Sequence, residues 1–225
     1  MSPPLVFAHG LGRDGPSAWP VQVAAFPNAI YLSRPADESL DSVDYAVATI
    51  RSASSASVVV AHSFGAVAAA RAVAADDGQI RAAVLIEPAL HRLARGGDAV
   101  ERHIARVDPV FTHSESSLEE FWLELVMALS GNAAEGPLDN ETLRTASGFR
   151  RLGPPWRHEI EAGAFVGHPT LVVTGGWNDE YEEIATRLET DGATRAVLPG
   201  YGHRPQDHPD FNGTLAEFVA DLVSL

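Results

Sequence analysis

The chain contains no cysteine and no lysine, and all 16 of its basic residues are arginine. The first absence excludes disulfides, thiolate metal sites and cysteine nucleophiles. The second excludes lysine Schiff-base chemistry. Positive charge is scarce as well: 30 acidic residues outnumber the arginines and leave a formal net charge of −14. That balance argues against nucleic acid and anionic membrane as partners, because both select basic patches. No apolar run approaches transmembrane length. The N-terminus enters an apolar strand at Leu5 without the basic n-region and long apolar core of a signal peptide, so a cytoplasmic location is expected. The histidines fall into no H-x-x-x-H or similar ligand spacing, so neither a metal nor a cofactor is expected. Nothing in the pattern bears on oligomeric state.

What is present is an ordinary globular composition, 45% apolar and 20% charged over 225 residues, enough for one domain with a sizeable core. The most informative stretch is Ser57 to Arg71, SVVVAHSFGAVAAAR. Its β-branched run Val58-Val59-Val60 suits a strand buried on both faces. His62-Ser63-Phe64-Gly65 then turns into an alanine-rich segment of high helix propensity. A serine at such a strand–helix turn is lifted out of the sheet above a helix N-terminus, where free N–H groups favour negative charge. The pattern A-x-S-x-G is a near match to the G-x-S-x-G nucleophile elbow, with Ala61 in place of the first glycine.

Other strands are expected at Leu5–Ala8, around Ala29–Leu32, at Ala82–Ile86, Thr170–Thr174 and Thr194–Leu198. Helices are expected over Ser17–Phe26, along the Leu40, Val43, Val47 and Ile50 stripe, through Tyr181, Ile184, Ala185 and Leu188, and through Leu215, Phe218, Val219 and Leu222. From about Ala89 to Gly167 the strands stop and helical segments replace them. The clearest runs from Ser117 to Leu129, where Ser117 and Glu120 make a capping box and Leu118, Phe121, Trp122, Leu125 and Leu129 share a face. Strands alternating with helices imply an α/β fold with a mostly parallel sheet, whose sites lie beyond the carboxyl ends of the strands. His9-Gly10, Ser63, Glu87, Asn178-Asp179 and His203 all follow expected strands.

Taken as an ordered set, LVFAHGLG, VVVAHSFGA, PTLVVTGG and LPGYGH resemble the α/β-hydrolase fold family nearly end to end. The family's two leading strands are absent, so the resemblance implies a trimmed central sheet of about six strands flanked by helices. It also implies a core made of residues 1–88 and 168–225, and a helical lid over 89–167, inserted after the strand that ends at Glu87. Ser63 would be the nucleophile, and His203, in the glycine-rich loop after the last strand, the base that takes its proton. His208 lies further along the same loop, His62 points away, and His91, His103 and His113 read as surface residues of the lid.

Two carboxylates compete for the triad acid. Asp179 follows the PTLVVTGG strand, at the family's usual place if the count starts from Gly176; counted from Gly175 that place falls on Asn178. Glu87 occupies the place used in a variant of the family and ends a wholly apolar strand, where an unpaired carboxylate is costly to bury. The oxyanion hole would use the backbone N–H groups of Leu11 and Phe64. His9, Gly10 and Trp122 are candidates for contacting substrate. Arg150-Arg151 reads as a solvated pair, with an anionic substrate group as the alternative partner. The reading is a serine hydrolase of small ester, thioester or related acyl substrates. C–C bond hydrolysis, cofactor-free lyase chemistry and a non-catalytic binding protein are the alternatives. Ser63 argues against the haloalkane-dehalogenase and epoxide-hydrolase branches, which use an aspartate.

Overall fold

The computed structural model describes residues 3–35, 42–53, 56–75, 78–112, 116–133 and 136–224. Leu40 and His113 lie outside them.

The strands are β1 (Leu5–Ala8), β2 (Ile30–Tyr31), β3 (Ser57–His62), β4 (Ile80–Ile86), β5 (Thr170–Thr174) and β6 (Thr194–Val197). They form one six-stranded sheet in the order β2-β1-β3-β4-β5-β6. Every neighbouring pair is parallel. Because side chains alternate along a strand, each central strand feeds two cores. Val59, Ala61, Ala83, Leu85 and Val172 face one side, where α2 (Ser42–Ser52), α3 (Gly65–Ala74) and α7 (Asp179–Thr190) supply Val43, Ile50, Ala69 and Ile184. Val58, Val60, Val84, Ile86 and Val173 face the other, against Trp19 and the Phe211, Leu215 and Leu222 side chains of α8 (Phe211–Ser224). The central strands β3, β4 and β5 read as largely apolar runs because both faces are covered.

The single helix expected over Ser17–Phe26 is instead a 3-10 turn, Gly15–Ala18, and a short helix α1, Gln22–Ala25. Pro20 falls between them, and its missing N–H and fixed ring break the run. The Ala29–Leu32 strand contracts to the two residues of β2 at the sheet edge.

Between β4 and β5 no strand occurs among the described residues. Here lie α4 (Asp98–Val107), α5 (Leu118–Ser130) and α6 (Asn140–Leu152). Val107, Val110, Phe121, Leu125, Ala146 and Trp156 form a third core there, separate from the two beneath the sheet. The capping box at the start of α5 is formed: Ser117 Oγ accepts from Glu120 N, and Glu120 Oε2 accepts from Ser117 N. Only Phe121 and Leu125 of the expected α5 stripe are fully buried, while Leu129 is 45% exposed. The N-terminus of α4 is capped from outside the segment. Glu183 of α7 accepts from Ala99 N and Val100 N at 2.9–3.0 Å.

Candidate active site

Ser63 stands between β3 and α3 with φ of 53°, a left-handed conformation that costs a residue with a Cβ about 1–3 kcal/mol. Its own backbone holds it there: Ser63 N donates to Ile86 O at 2.9 Å, and Ser63 O accepts from Ala66 N and Ala89 N. The turn also requires Gly65. A Cβ at that position would lie 2.5 Å from Ala8 O and 2.7 Å from His9 O, so only glycine lets α3 start against the end of β1. Ala61, in place of the elbow's first glycine, is buried in β3 without conflict.

His203 follows β6 and places Nε2 2.9 Å from Ser63 Oγ. Its Nδ1 lies 3.4 Å from Glu87 Oε2. Glu87 is fully buried just beyond β4, with φ of 42°. Parallel pairing of Ile86 with Val173 sets Glu87 beside the end of β5. There Oε1 accepts from Gly175 N at 2.6 Å and Oε2 from the Trp177 indole at 2.9 Å. A side chain at Gly175 would meet Gly202 O at 2.6 Å, so the close approach of the two loops also depends on a glycine. Asp179, the competing acid, opens α7 and lines other cavities. The residue that caps that helix is Asn178, whose Oδ1 accepts from Glu180 N at 3.1 Å.

Ser63, His203, Gly10, Leu11 and Phe64 line one cavity of about 700 Å3 between the sheet end and the helical segment. Leu125, Leu129, Phe111 and Phe149 give it an apolar wall. Trp122 does not line it; its ring packs edge-on against Phe149 at 5.6 Å. His9 is likewise turned away, with Nδ1 2.5 Å from Gly10 O and Nε2 2.9 Å from Asp14 Oδ1. Arg150 is not merely solvated: it donates to Ser116 Oγ and Ser117 O and covers the Phe121 ring at 4.7 Å.

Several residues here carry no local sequence signal. His62, expected to point away, is buried on the cavity wall, and its Nε2 donates to His203 O at 2.8 Å, tying down the loop that holds His203. Burial first, and then the nearby His203 ring, hold His62 well below the usual histidine range. His91 and His103, expected at the surface, are 2% and 6% exposed. They converge on Glu180, another cavity-lining residue. Burial pushes the Glu180 carboxyl up, but His103 and His91 outweigh it and bring it down to about 2. The sequence shows no ligand spacing, yet the fold brings three potential donors together. The donor atoms of His91, His103 and Glu180 lie within 4.8 Å of one another.

No curated protein matches this chain. Among solved structures, NosK from Streptomyces actuosus aligns with a TM-score of 0.64 at 18% identity, covering 99% of each chain. A carboxylesterase structure from the ammonia-oxidizing thaumarchaeon Nitrososphaera gargenis aligns at 0.63 and 14% identity, covering 100% of this chain and 92% of that one. An epoxide hydrolase from metagenomes of hot environments aligns at 0.63 and 17% identity, covering 97% and 91%. Residues 5–211 match the alpha/beta hydrolase family. The match takes in all six strands, the serine turn and the histidine loop, and the chain belongs to the alpha/beta hydrolase family.

Proposed function

We propose that this protein is a serine hydrolase of small ester, thioester or related acyl substrates, with Ser63 as nucleophile, His203 as base and Glu87 as the triad acid. The observation that carries the reading is the relay from Ser63 Oγ to His203 Nε2 at 2.9 Å and from His203 Nδ1 to Glu87 at 3.4 Å. Ser63 Oγ attacks the acyl carbon and its proton passes to His203 Nε2. The same proton then goes to the departing alcohol or thiol. Water repeats the sequence on the acyl-enzyme, giving its proton to His203 and returning Ser63. Glu87 keeps the Nδ1–H tautomer and supports the imidazolium. The N–H groups of Leu11 and Phe64 are assigned to the developing oxyanion, a role in which each such donor contributes about 3 kcal/mol. Residues 89–167 act as the lid, and their apolar wall receives the acyl group. A serine at the elbow favours acyl over epoxide substrates.

A fluorophosphonate probe should label folded protein at Ser63 and leave Ser63→Ala unlabelled. Turnover of a p-nitrophenyl ester should collapse in Glu87→Gln and persist in Asp179→Asn. A wild-type protein inert to both reagents would sink the enzyme reading. The opposite behaviour of the two carboxylate variants would move the acid to Asp179.

A further inference from the structure

We propose that His91, His103 and Glu180 form a binding site for a divalent first-row transition ion of the zinc class, opening into the cavity that contains Ser63. Three separate elements supply the ligands: the loop after β4, helix α4 and the second residue of α7. All three side chains are buried, and their donor atoms lie within 4.8 Å of one another.

Hydrogen bonding leaves this cluster incomplete. No hydrogen bond of good geometry reaches either ring nitrogen of His91 among the described residues, although Glu180 and the Ala89 backbone lie close enough to favour its protonated form. Its Nε2 stands 3.7 Å from Glu180 Oε1, too far for a hydrogen bond. That gap suits two donors sharing one ion at metal–ligand bonds of about 2.0–2.2 Å. The His91 and His103 rings stack at 4.8 Å and 22°, and the edge of Trp156 packs against both. This packing fixes the two imidazoles beside the carboxylate in advance of any ion.

Two imidazoles and one carboxylate are the three-ligand set that zinc accepts while keeping a further position open. Calcium and magnesium prefer all-oxygen sites. The three residues line the same 700 Å3 cavity as Ser63 and His203, with the His91 nitrogens and His103 Nδ1 buried beneath its surface, so a ligand oxygen would reach the open position from that side after a small side-chain movement. A second cavity of about 280 Å3, lined by Arg102, Arg106 and Asp179, reaches His103 and Glu180 from the other. A bound ion would hold a carboxylate or chelating carbonyl of a ligand in the same chamber as the serine. The competing account is a metal-free clamp in which His103 Nδ1 simply donates to Glu180, with which it is in direct contact.

The proposal does not depend on Ser63 being a nucleophile, and cobalt(II) separates the two questions. Chelator-treated full-length protein titrated with Co2+ should develop the intense visible bands of a low-coordinate site, saturating at a single equivalent and bleached by Zn2+. Ser63→Ala should give the same spectrum, whereas Glu180→Gln and His103→Gln should lose it. No bands in wild type, or bands that persist in both variants, would overturn the site. If the variants do not fold, anomalous diffraction at the zinc edge from zinc-soaked wild-type crystals decides. A peak between His91, His103 and Glu180 supports the site, and none there leaves the metal-free clamp.

Discussion

Two buried carboxylates each lie beside imidazoles, one behind the cavity wall and one lining it, and they are held in different ways. Glu87 accepts from a backbone N–H and an indole N–H as well as lying beside His203. Its position is set by donors that cannot move far, so the imidazole in front of it inherits a fixed orientation. Glu180 faces two imidazoles and the neighbouring Tyr181 side chain, and one of the imidazoles stands beyond hydrogen-bonding distance. The difference shows that a carboxylate–histidine contact does not by itself define a role. What matters is which donors remain once that contact is removed: around Glu87 a backbone N–H and an indole N–H stay in place, whereas Glu180 keeps only side-chain neighbours such as Tyr181 among the described residues.

Exchanging the perturbation between the two clusters gives the largest effect. Glu87→Gln should lower kcat on the order of 10⁴-fold, the scale at which loss of the triad acid's charge leaves the imidazole in the wrong tautomer. Glu180→Gln should leave ester turnover within about tenfold of wild type, since it touches none of the reacting groups in the proposed relay. Equal losses in both variants, measured by steady-state kinetics, would erase the distinction. Gly65→Ala tests the turn that presents Ser63. Forcing a Cβ to within 2.5 Å of Ala8 O should lower unfolding free energy by about 1–3 kcal/mol in urea titration. An unchanged midpoint would mean the elbow is less tightly built than its geometry requires.

Trp177→Phe removes one donor from Glu87 and keeps the ring. Loss of a hydrogen bond to a charged group, about 1.5 kcal/mol, predicts roughly a tenfold fall in kcat with little change in KM. A change confined to KM would make Trp177 a substrate contact instead.

The smallest effect concerns His62, the brace behind His203. Its folded-state pKa lies below the unfolded value because of burial and then the His203 charge, so below about pH 6.5 the unfolded chain binds the additional proton. Stability is complete above that value and is lost as pH falls, by about 1 kcal/mol between pH 7.5 and 5.5. His62→Gln should flatten that part of the stability profile; a profile as steep as wild type would assign the loss to other groups.

The proximity of Ser63 to His203 is legible because the serine turn follows an unbroken apolar strand and the histidine sits in a glycine-rich loop after β6. Which of Glu87 and Asp179 lies beside His203 is not, because both follow strands. It depends on the pairing of Ile86 with Val173 and on the indole of Trp177, neither of which is a local property. The Glu180 cluster was invisible for a related reason. Ligand-spacing rules presuppose donors on one helix or loop, whereas His91, His103 and Glu180 meet only after α4 docks on α7. Burial in the helical segment is hidden from the sequence for the same cause: polar residues such as His103 read as surface until the element covering them is known. The sheet was the easiest part to read, since strands covered on both faces announce themselves as unbroken apolar runs.

The Glu183 cap on α4 ties the roof of the cavity to the sheet layer. Helix α4, which carries His103, is fastened to α7 by charge-assisted bonds to Ala99 N and Val100 N. Helices α5 and α6 pack on each other, and α4 enters their small core through Val107. The polar end of the chamber is thus anchored directly, and the apolar end is anchored through it.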